Sequence, residues 1–262
     1  MKHKSDHWHS LIQLRDVVHV LIVRDMKLRY KRSVLGVLWS LLNPLLQLSV
    51  FYVVFRFILP VSRPHFAIFL FSGLLSWNWF QSSVQAGCTA ITDHGSLVRQ
   101  PRFNALVLPL VTVLSNLLHF LIALPILLIG AWSSGILYAP ALLAIPVLIA
   151  AQLLLTLSLV YVLAALHVRL RDTQYLVGSL LLFAFYLSPV LYSTREVPGN
   201  FLPYFRLNPL VPILDGYHRV VVEGKFPEMT SLLIVLRFCR DLAGRRVRVQ
   251  RASRGFVEEI GA

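Results

Sequence analysis

The chain has 262 residues, of which 56% are hydrophobic and 14% are charged, and its mean hydropathy is +0.68. This composition is too apolar for a soluble domain of that length and indicates an integral membrane protein. The apolar segments leave no soluble module to carry a basic face, so the net charge of +13 does not predict a nucleic-acid partner. We expect it to set the membrane topology instead.

Residues 1–33 are predicted to form a cytoplasmic segment in which residues 8–32 make an amphipathic helix in the headgroup layer. Apolar residues such as Leu14 and Val18 are interleaved there with charged residues such as Arg15 and Arg24, a pattern typical of interfacial helices. The N-terminal residues do not resemble a cleaved signal peptide, because no short apolar run followed by a small-residue cleavage pattern precedes the first long apolar segment. We therefore expect the first span to be an uncleaved anchor.

Five long apolar segments follow, and each is predicted to cross the membrane. They cover about residues 34–59, 66–91, 106–132, 141–167 and 175–192. Pro44 is expected to kink the first of them. The Pro-rich residues 195–228 are expected to form short re-entrant or surface helices. With about six spans and the N-terminus inside, most of the 25 Lys and Arg residues fall on the cytoplasmic side, which favours that orientation.

The spans lack the residues that catalysis or proton transport requires. Between Asp25 and Glu196 the only carboxylates are Asp93 and Asp172, both in predicted cytoplasmic connections, so an enzyme or a proton-driven carrier is disfavoured. No phosphate-binding loop is present, because Gly224 and Lys225 are followed by phenylalanine. We therefore expect no catalytic residue, metal or cofactor in this chain; if it carries out active transport, the motor is another polypeptide.

Uncharged polar and aromatic residues in the spans keep two interpretations open. The lone His119 is predicted to make a hydrogen bond between helices. Taken singly, each aromatic residue is predicted to pack or to lie at the membrane interface. Together they would instead line a passage for a glycan, since aromatic faces stack on pyranose rings; the residues concerned are Trp39, Trp77, Trp79, Phe80, Tyr186 and Tyr192.

Five motifs resemble, in order and spacing, the permease subunit of ABC-2 type exporters, and especially the branch that exports O-antigen, capsular and teichoic acid polysaccharides. They lie within about residues 10–228 and read LRYKRSVLGVLWSLLNPLL, LFSGLLSWNWFQ, LVRQPRFNALVLPL, YLSPVLYS and RLNPLVPILDGYHRVVVEGKFP. The resemblance implies an all-α membrane protein with about six transmembrane helices and an N-terminal interface helix. The transmembrane domain would occupy residues 34–250 and a cytoplasmic tail residues 251–262.

The resemblance also implies partners, substrate and site residues. Two permeases would pair with two ABC ATPase subunits in the inner membrane and move a polysaccharide linked to a polyprenyl diphosphate. Arg29, Lys31 and Arg32 would meet the diphosphate at the inner leaflet, although positive-inside anchoring alone also accounts for them. The connection seated on the ATPase would include Asp93, His94, Arg99, Pro101, Arg102 and Phe103.

The sixth span departs from the family pattern. Residues 229–244 read MTSLLIVLRFCRDLAG, and near a helix centre Arg237, Arg240 and Asp241 would each cost about 2.5–3.5 kcal/mol. Our hypothesis is that about residues 237–251 are encoded out of frame by two compensating shifts. An apolar segment in another reading frame of the DNA would support it, and the absence of one would refute it.

Three other functions remain open at the level of sequence. An ABC-2 exporter of a drug or small lipid would have a similar architecture. A membrane-embedded glycosyltransferase acting on the same lipid carrier is disfavoured by the scarcity of carboxylates near the spans. A non-catalytic scaffold would tether a partner without responding to nucleotide.

Overall fold

The computed structural model describes residues 2–58, 63–101 and 103–242, with side chains from Arg15 onward except that of Arg206. Within these ranges every regular element is a helix and no β-strand occurs, which confirms the all-α class. The helices are α1 (Lys2–Arg29), α2 (Trp39–Val53), α3 (Phe66–Asp93), α4 (Gly95–Val98), α5 (Val107–Ser133), α6 (Ala139–Leu142), α7 (Ile145–Arg169), α8 (Thr173–Tyr186), α9 (Leu202–Leu207), α10 (Val211–Val221) and α11 (residues 229–242).

Three helical segments of the described chain are long and apolar enough to cross a membrane. They are Gly36–Ile58, Val107–Ser133 and Ala139–Arg169. The first consists of a 3-10 turn, α2 and a π-helical turn, and contains Pro44 within α2. These segments match the first, third and fourth predicted spans, and they make the protein membrane-embedded.

Helix α3 matches the second predicted span in length but is more polar, and its position explains why. It packs against α2, α5, α7, α8 and α10 at the centre of the bundle. The buried Ser76 hydroxyl donates to Gln152 Oε1 of α7 at 2.8 Å, and Gln152 Nε2 donates to the Ser76 carbonyl at 2.8 Å. Polar side chains are tolerated in such a helix because its neighbours supply their hydrogen bonds.

Helices α3 and α7 also approach closely at Gly87. A Cβ at that position would lie 2.4 Å from Cγ1 of Val160, so the packing there requires a residue without a side chain. Small residues commonly permit such contacts between membrane helices.

The fifth predicted span was too long. Helix α8 has 14 residues, or about 21 Å at 1.5 Å per residue, and it ends at Tyr186 rather than Tyr192. Residues 187–190 form turns. Pro189 lies in this segment, and the residue that precedes a proline is disfavoured in helical conformation.

The connection between α8 and α11 contains short helices, as predicted. A 3-10 turn at Thr194–Glu196 precedes α9 and α10. Helix α10 packs back against α3 and α7 and buries one apolar face. The ring of His218 stacks on Phe69 of α3 at 3.9 Å, and the guanidinium of Arg63 covers the Phe69 ring at 4.1 Å. This connection is therefore part of the packed bundle.

Helix α11 covers the described part of the atypical sixth segment. Leu232, Val235 and Cys239 are buried, whereas the side chains of Arg240 and Asp241 are 81% and 70% exposed. One face of α11 thus contacts the bundle and the other carries charge. Residues 243–251 and the predicted tail 251–262 lie outside the described residues, so the reading-frame hypothesis and the domain boundaries stay predictions.

Candidate functional site

The sharp turn between α1 and α2 is where the basic residues of the first motif lie. Arg32 has φ 65° and Gly36 has φ 50°, left-handed conformations within the turn that joins the two helices; this conformation is uncommon for an arginine. The Ser33 hydroxyl accepts a hydrogen bond from the Gly36 amide at 3.1 Å. Lys31 and Arg32 are exposed there, and we call these two residues the basic turn.

Beside this turn lies a cavity of about 430 Å³ between the end of α1, α2, α3 and α5, which we call the interhelical pocket. Its lining is mostly polar or aromatic. Among the residues that the structure describes, Arg29 is the only Lys, Arg, Asp or Glu that lines it. The lining residues are Arg29, Tyr30, Ser33, Trp39, Ser40, Asn43, Pro44, Gln47, Leu75, Asn78, Trp79, Ser82, Asn116, His119 and Phe120.

Arg29 closes one side of the pocket by bonding to α5. One of its terminal nitrogens donates to Asn116 Oδ1 at 3.0 Å and contacts His119 Nε2 at 3.1 Å. The other lies 3.6 Å from Asp25 Oδ2 on the preceding turn of α1. The guanidinium charge is therefore shared among three groups of the protein itself.

These contacts fix the tautomer of His119. A guanidinium has no acceptor, so His119 Nε2 accepts from Arg29, and in the neutral ring Nδ1 carries the proton. Nδ1 lies 3.2 Å from the Tyr30 hydroxyl oxygen, to which it donates. Burial raises the pKa of the Tyr30 phenol, which stays protonated. The predicted hydrogen bond between His119 and another helical segment is confirmed.

Amide side chains continue the polar lining across α2 and α3. Asn78 Nδ2 donates to Gln47 Oε1 at 2.8 Å, which ties the two helices together. Neither of these two residues was predicted from the sequence, nor were Asn43, Asn116 and Tyr30. The signal for the four carboxamides was their position in stretches without charged residues, where a polar side chain is costly unless it has a partner or a function.

The three predicted diphosphate contacts are not brought together in the pocket. Arg29 lines it, whereas Lys31 lies along a shallow groove on α1 with His19, Arg24 and Lys27. Arg32 is exposed at the turn. The helix ends at Arg29, and Lys31 and Arg32 lie in the turn beyond it.

The six predicted passage aromatics fall into separate groups. Trp39, which is 40% exposed, and the buried Trp79 line the pocket. Trp77 instead packs in the core, with its ring 5.7 Å from Phe80 and 5.5 Å from Phe185. Positions two apart on a helix point in nearly opposite directions, which separates Trp77 from Trp79.

Tyr186 and Tyr192 form the remaining group. Tyr186 is 62% exposed. The Tyr192 hydroxyl donates a hydrogen bond to the backbone carbonyl oxygen of Tyr186 at 2.9 Å. The six aromatics therefore do not form one continuous surface within a single chain.

The predicted coupling connection contains a short helix. Asp93 ends α3, and His94 Nδ1 contacts the Ala90 carbonyl at 2.9 Å. Helix α4 follows, and Arg99 and Pro101 are exposed beyond it, with Phe103 half-buried. Arg102 lies outside the described residues. The exposed side chains leave this connection accessible to another protein, and its role in coupling stays a prediction.

The model of the ABC-2 type transporter family matches residues 16–221. The chain is 37% identical over 232 residues to the O-antigen export system permease protein RfbA of Myxococcus xanthus, covering 86% of this chain and 87% of the relative. It is 29% identical over 238 residues to an O-antigen export system permease protein RfbA of Klebsiella pneumoniae, covering 90% and 92%. It is 22% identical over 224 residues to the polysialic acid transport protein KpsM of Escherichia coli, covering 84% and 87%. The chain belongs to the ABC-2 type transporter family.

Proposed function

We propose that this chain is the permease subunit of an ATP-driven exporter that moves a polysaccharide across the inner membrane. The observation that carries this proposal is the 37% identity, over 86% of the chain, to a permease named for O-antigen export. A second relative named for polysialic acid transport also has a polysaccharide substrate. The shared substrate class therefore favours a glycan over a drug or a small lipid.

The exporter is completed by other chains. Two copies of the permease pair with two ABC ATPase subunits, which bind ATP and Mg²⁺. The short helix α4 and the exposed Arg99 support an ATPase contact at the end of the bundle where α3 ends and α5 begins. Closure of the ATPase dimer around nucleotide would move this connection and shift the helices as rigid bodies.

The polysaccharide is linked to a polyprenyl diphosphate, and this diphosphate enters at the basic turn. Lys31 and Arg32 are exposed beside the first helix that spans the membrane, where a headgroup phosphate lies within reach. Arg29 adds positive potential from the pocket wall, although part of its charge faces Asp25. In this arrangement the N-terminus and the basic turn are cytoplasmic.

Deletion of the gene in the source organism, followed by fractionation of the lipid-linked glycan, tests the proposal. The glycan is expected to accumulate on the cytoplasmic face, and a plasmid carrying this sequence is expected to restore its export. A gene variant that encodes an apolar sixth span serves as the control. If only that variant restores export, the inability of this chain to do so is caused by α11. Normal surface glycan in the deletion strain would refute the proposal.

A further inference from the structure

We propose that the interhelical pocket binds an uncharged pyranose unit of the exported glycan. The inference rests on the proposed function for the source of that sugar, but the binding site itself is argued from the lining. Its volume of about 430 Å³ falls within the range of about 300–1,000 Å³ that is usual for small-molecule sites.

The polar groups of the pocket match the hydroxyls of a sugar. Four carboxamides line it, from Asn43, Gln47, Asn78 and Asn116. A carboxamide offers both donors and an acceptor, and a sugar hydroxyl also does both. Asn78 and Gln47 use one group each on one another, and Asn116 bonds to Arg29 and to the Thr112 carbonyl. The groups offered to a ligand are therefore Asn78 Oδ1, Gln47 Nε2 and the Asn43 carboxamide. The lining serines, Ser33, Ser40 and Ser82, add further groups of the same dual kind.

The charge of the pocket disfavours a phosphate. In the described part of the chain, Arg29 is the one Lys or Arg side chain that lines the pocket. The Arg29 guanidinium already contacts Asn116, His119 and Asp25. A diphosphate is bound best by several free donors with full positive charge. The pocket therefore suits a neutral ligand better than an anion.

The aromatic residues supply the apolar surface that a pyranose requires. Trp39 is 40% exposed, whereas Trp79 and Phe120 are buried with their rings 5.1 Å apart. All three line the pocket. The C–H faces of a sugar ring are apolar, and their contact with an indole removes apolar surface from water. Arg29 and Trp39 are partly exposed and border the open side of the pocket. Leu75 and Asn116 are buried and form its closed floor.

The location next to the basic turn gives the site a role in substrate selection. Lys31 and Arg32 lie two and three residues beyond Arg29, which lines the pocket. A diphosphate at the basic turn would therefore leave the sugar attached to it close to the open side of the pocket. The permease would then read the first sugar as well as the lipid headgroup before transport begins.

Saturation-transfer NMR on the full-length permease in lipid nanodiscs tests the proposal. The probes are the methyl glycosides of glucose, galactose, mannose and N-acetylglucosamine. At least one probe is expected to give a signal that Asn43→Leu and Trp39→Ala each weaken by about tenfold, as expected for the loss of one good contact. Asn43 and Trp39 are exposed, so neither variant is expected to disturb the bundle.

Two matched controls lie outside the pocket. Gln85→Leu replaces an exposed carboxamide on α3, and Trp132→Ala replaces a tryptophan that is 72% exposed near the other end of α5. Both are expected to retain the full signal. Absence of a signal from every probe, or equal signals in the pocket and control variants, would overturn the proposal.

Inorganic pyrophosphate distinguishes the sugar site from a phosphate site. It is expected not to displace the glycoside, whereas displacement would show that the pocket binds anions and would contradict the proposal. The result is also separable from the proposed function. If the wild-type gene restores glycan export in the deletion strain but the purified protein gives no pocket-dependent signal, the sugar site fails and the exporter assignment stands.

Discussion

A terminal nitrogen of Arg29 lies 3.1 Å from Nε2 of His119, although 90 residues separate the two in the chain. This contact and the 3.0 Å bond from Arg29 to Asn116 join the end of α1 to the middle of α5. Helix α1 is thereby fixed to a membrane-spanning helix, and one side of the interhelical pocket is closed.

Replacing Arg29 with methionine is expected to destabilise the permease by about 1–3 kcal/mol, because the buried Asn116 carbonyl loses its charged donor. Thermal unfolding in nanodiscs measures the effect. Arg15→Met is the control and is expected to change stability by less than about 0.5 kcal/mol, since Arg15 is 77% exposed and pairs only with the adjacent Asp16 in the described structure.

A double variant checks the cause of that loss. Arg29→Met combined with Asn116→Leu removes donor and acceptor together, and replacing both partners by apolar groups of similar shape is less costly than orphaning one of them. Part of the stability is therefore expected to return. An Arg29→Met protein as stable as the wild type would show that the contact with α5 contributes little.

Gly87→Ala is expected to lower stability by about 1–3 kcal/mol through overpacking, because the new Cβ would meet Val160 Cγ1 at 2.4 Å. Gly130→Ala on α5 is the matched control, with nothing within 4 Å of its added Cβ. The control is expected to be neutral or slightly stabilising, since alanine is a better helix former than glycine.

Val160→Ala is expected to rescue Gly87→Ala, because it removes the methyl groups that the new Cβ would meet. The denaturation midpoints of the two single variants and of the double variant give the coupling energy between the positions. Additive losses in the double variant would contradict the close approach of α3 and α7 at this point.

Reversing the charge at the predicted coupling connection is expected to weaken association with the ATPase. Arg99→Glu changes an exposed residue just after α4, and Arg171→Glu changes an exposed residue just before α8. We expect co-purification of the co-encoded ATPase to fall with Arg99→Glu and to remain with Arg171→Glu. Equal retention in both variants would place the ATPase contact elsewhere.

Much of the fold was predictable because charge-free apolar runs leave a polypeptide few choices in a membrane. The predicted span at residues 106–132 became α5 (Val107–Ser133), and the span at residues 141–167 lies within Ala139–Arg169. The end of α8 was not predictable from hydropathy, since residues 187–192 continue the apolar run of the helix although residues 187–190 form turns around Pro189. Local backbone chemistry decided that boundary.

The candidate site was predictable only in part. Arg29, Trp39 and Trp79 were identified from sequence and do line one pocket. The hydrogen-bond partners of Arg29, Asn116 and His119, lie on α5, and no local sequence pattern connects them to α1. The six aromatics were predicted to line one passage, yet Trp77 and Trp79 are two positions apart on a helix and face nearly opposite sides. Which side meets the pocket depends on how α2, α3 and α5 pack together.

A measurement of ATP-dependent movement of a lipid-linked glycan in proteoliposomes would test the proposed export function. The vesicles would contain this permease and its co-encoded ATPase, and a membrane-impermeant glycosidase would report the exposed glycan. We expect the accessibility of the glycan to change when ATP is added, and to stay unchanged with a hydrolysis-deficient ATPase. Unchanged accessibility in vesicles whose ATPase does hydrolyse ATP would show that this chain does not export the glycan.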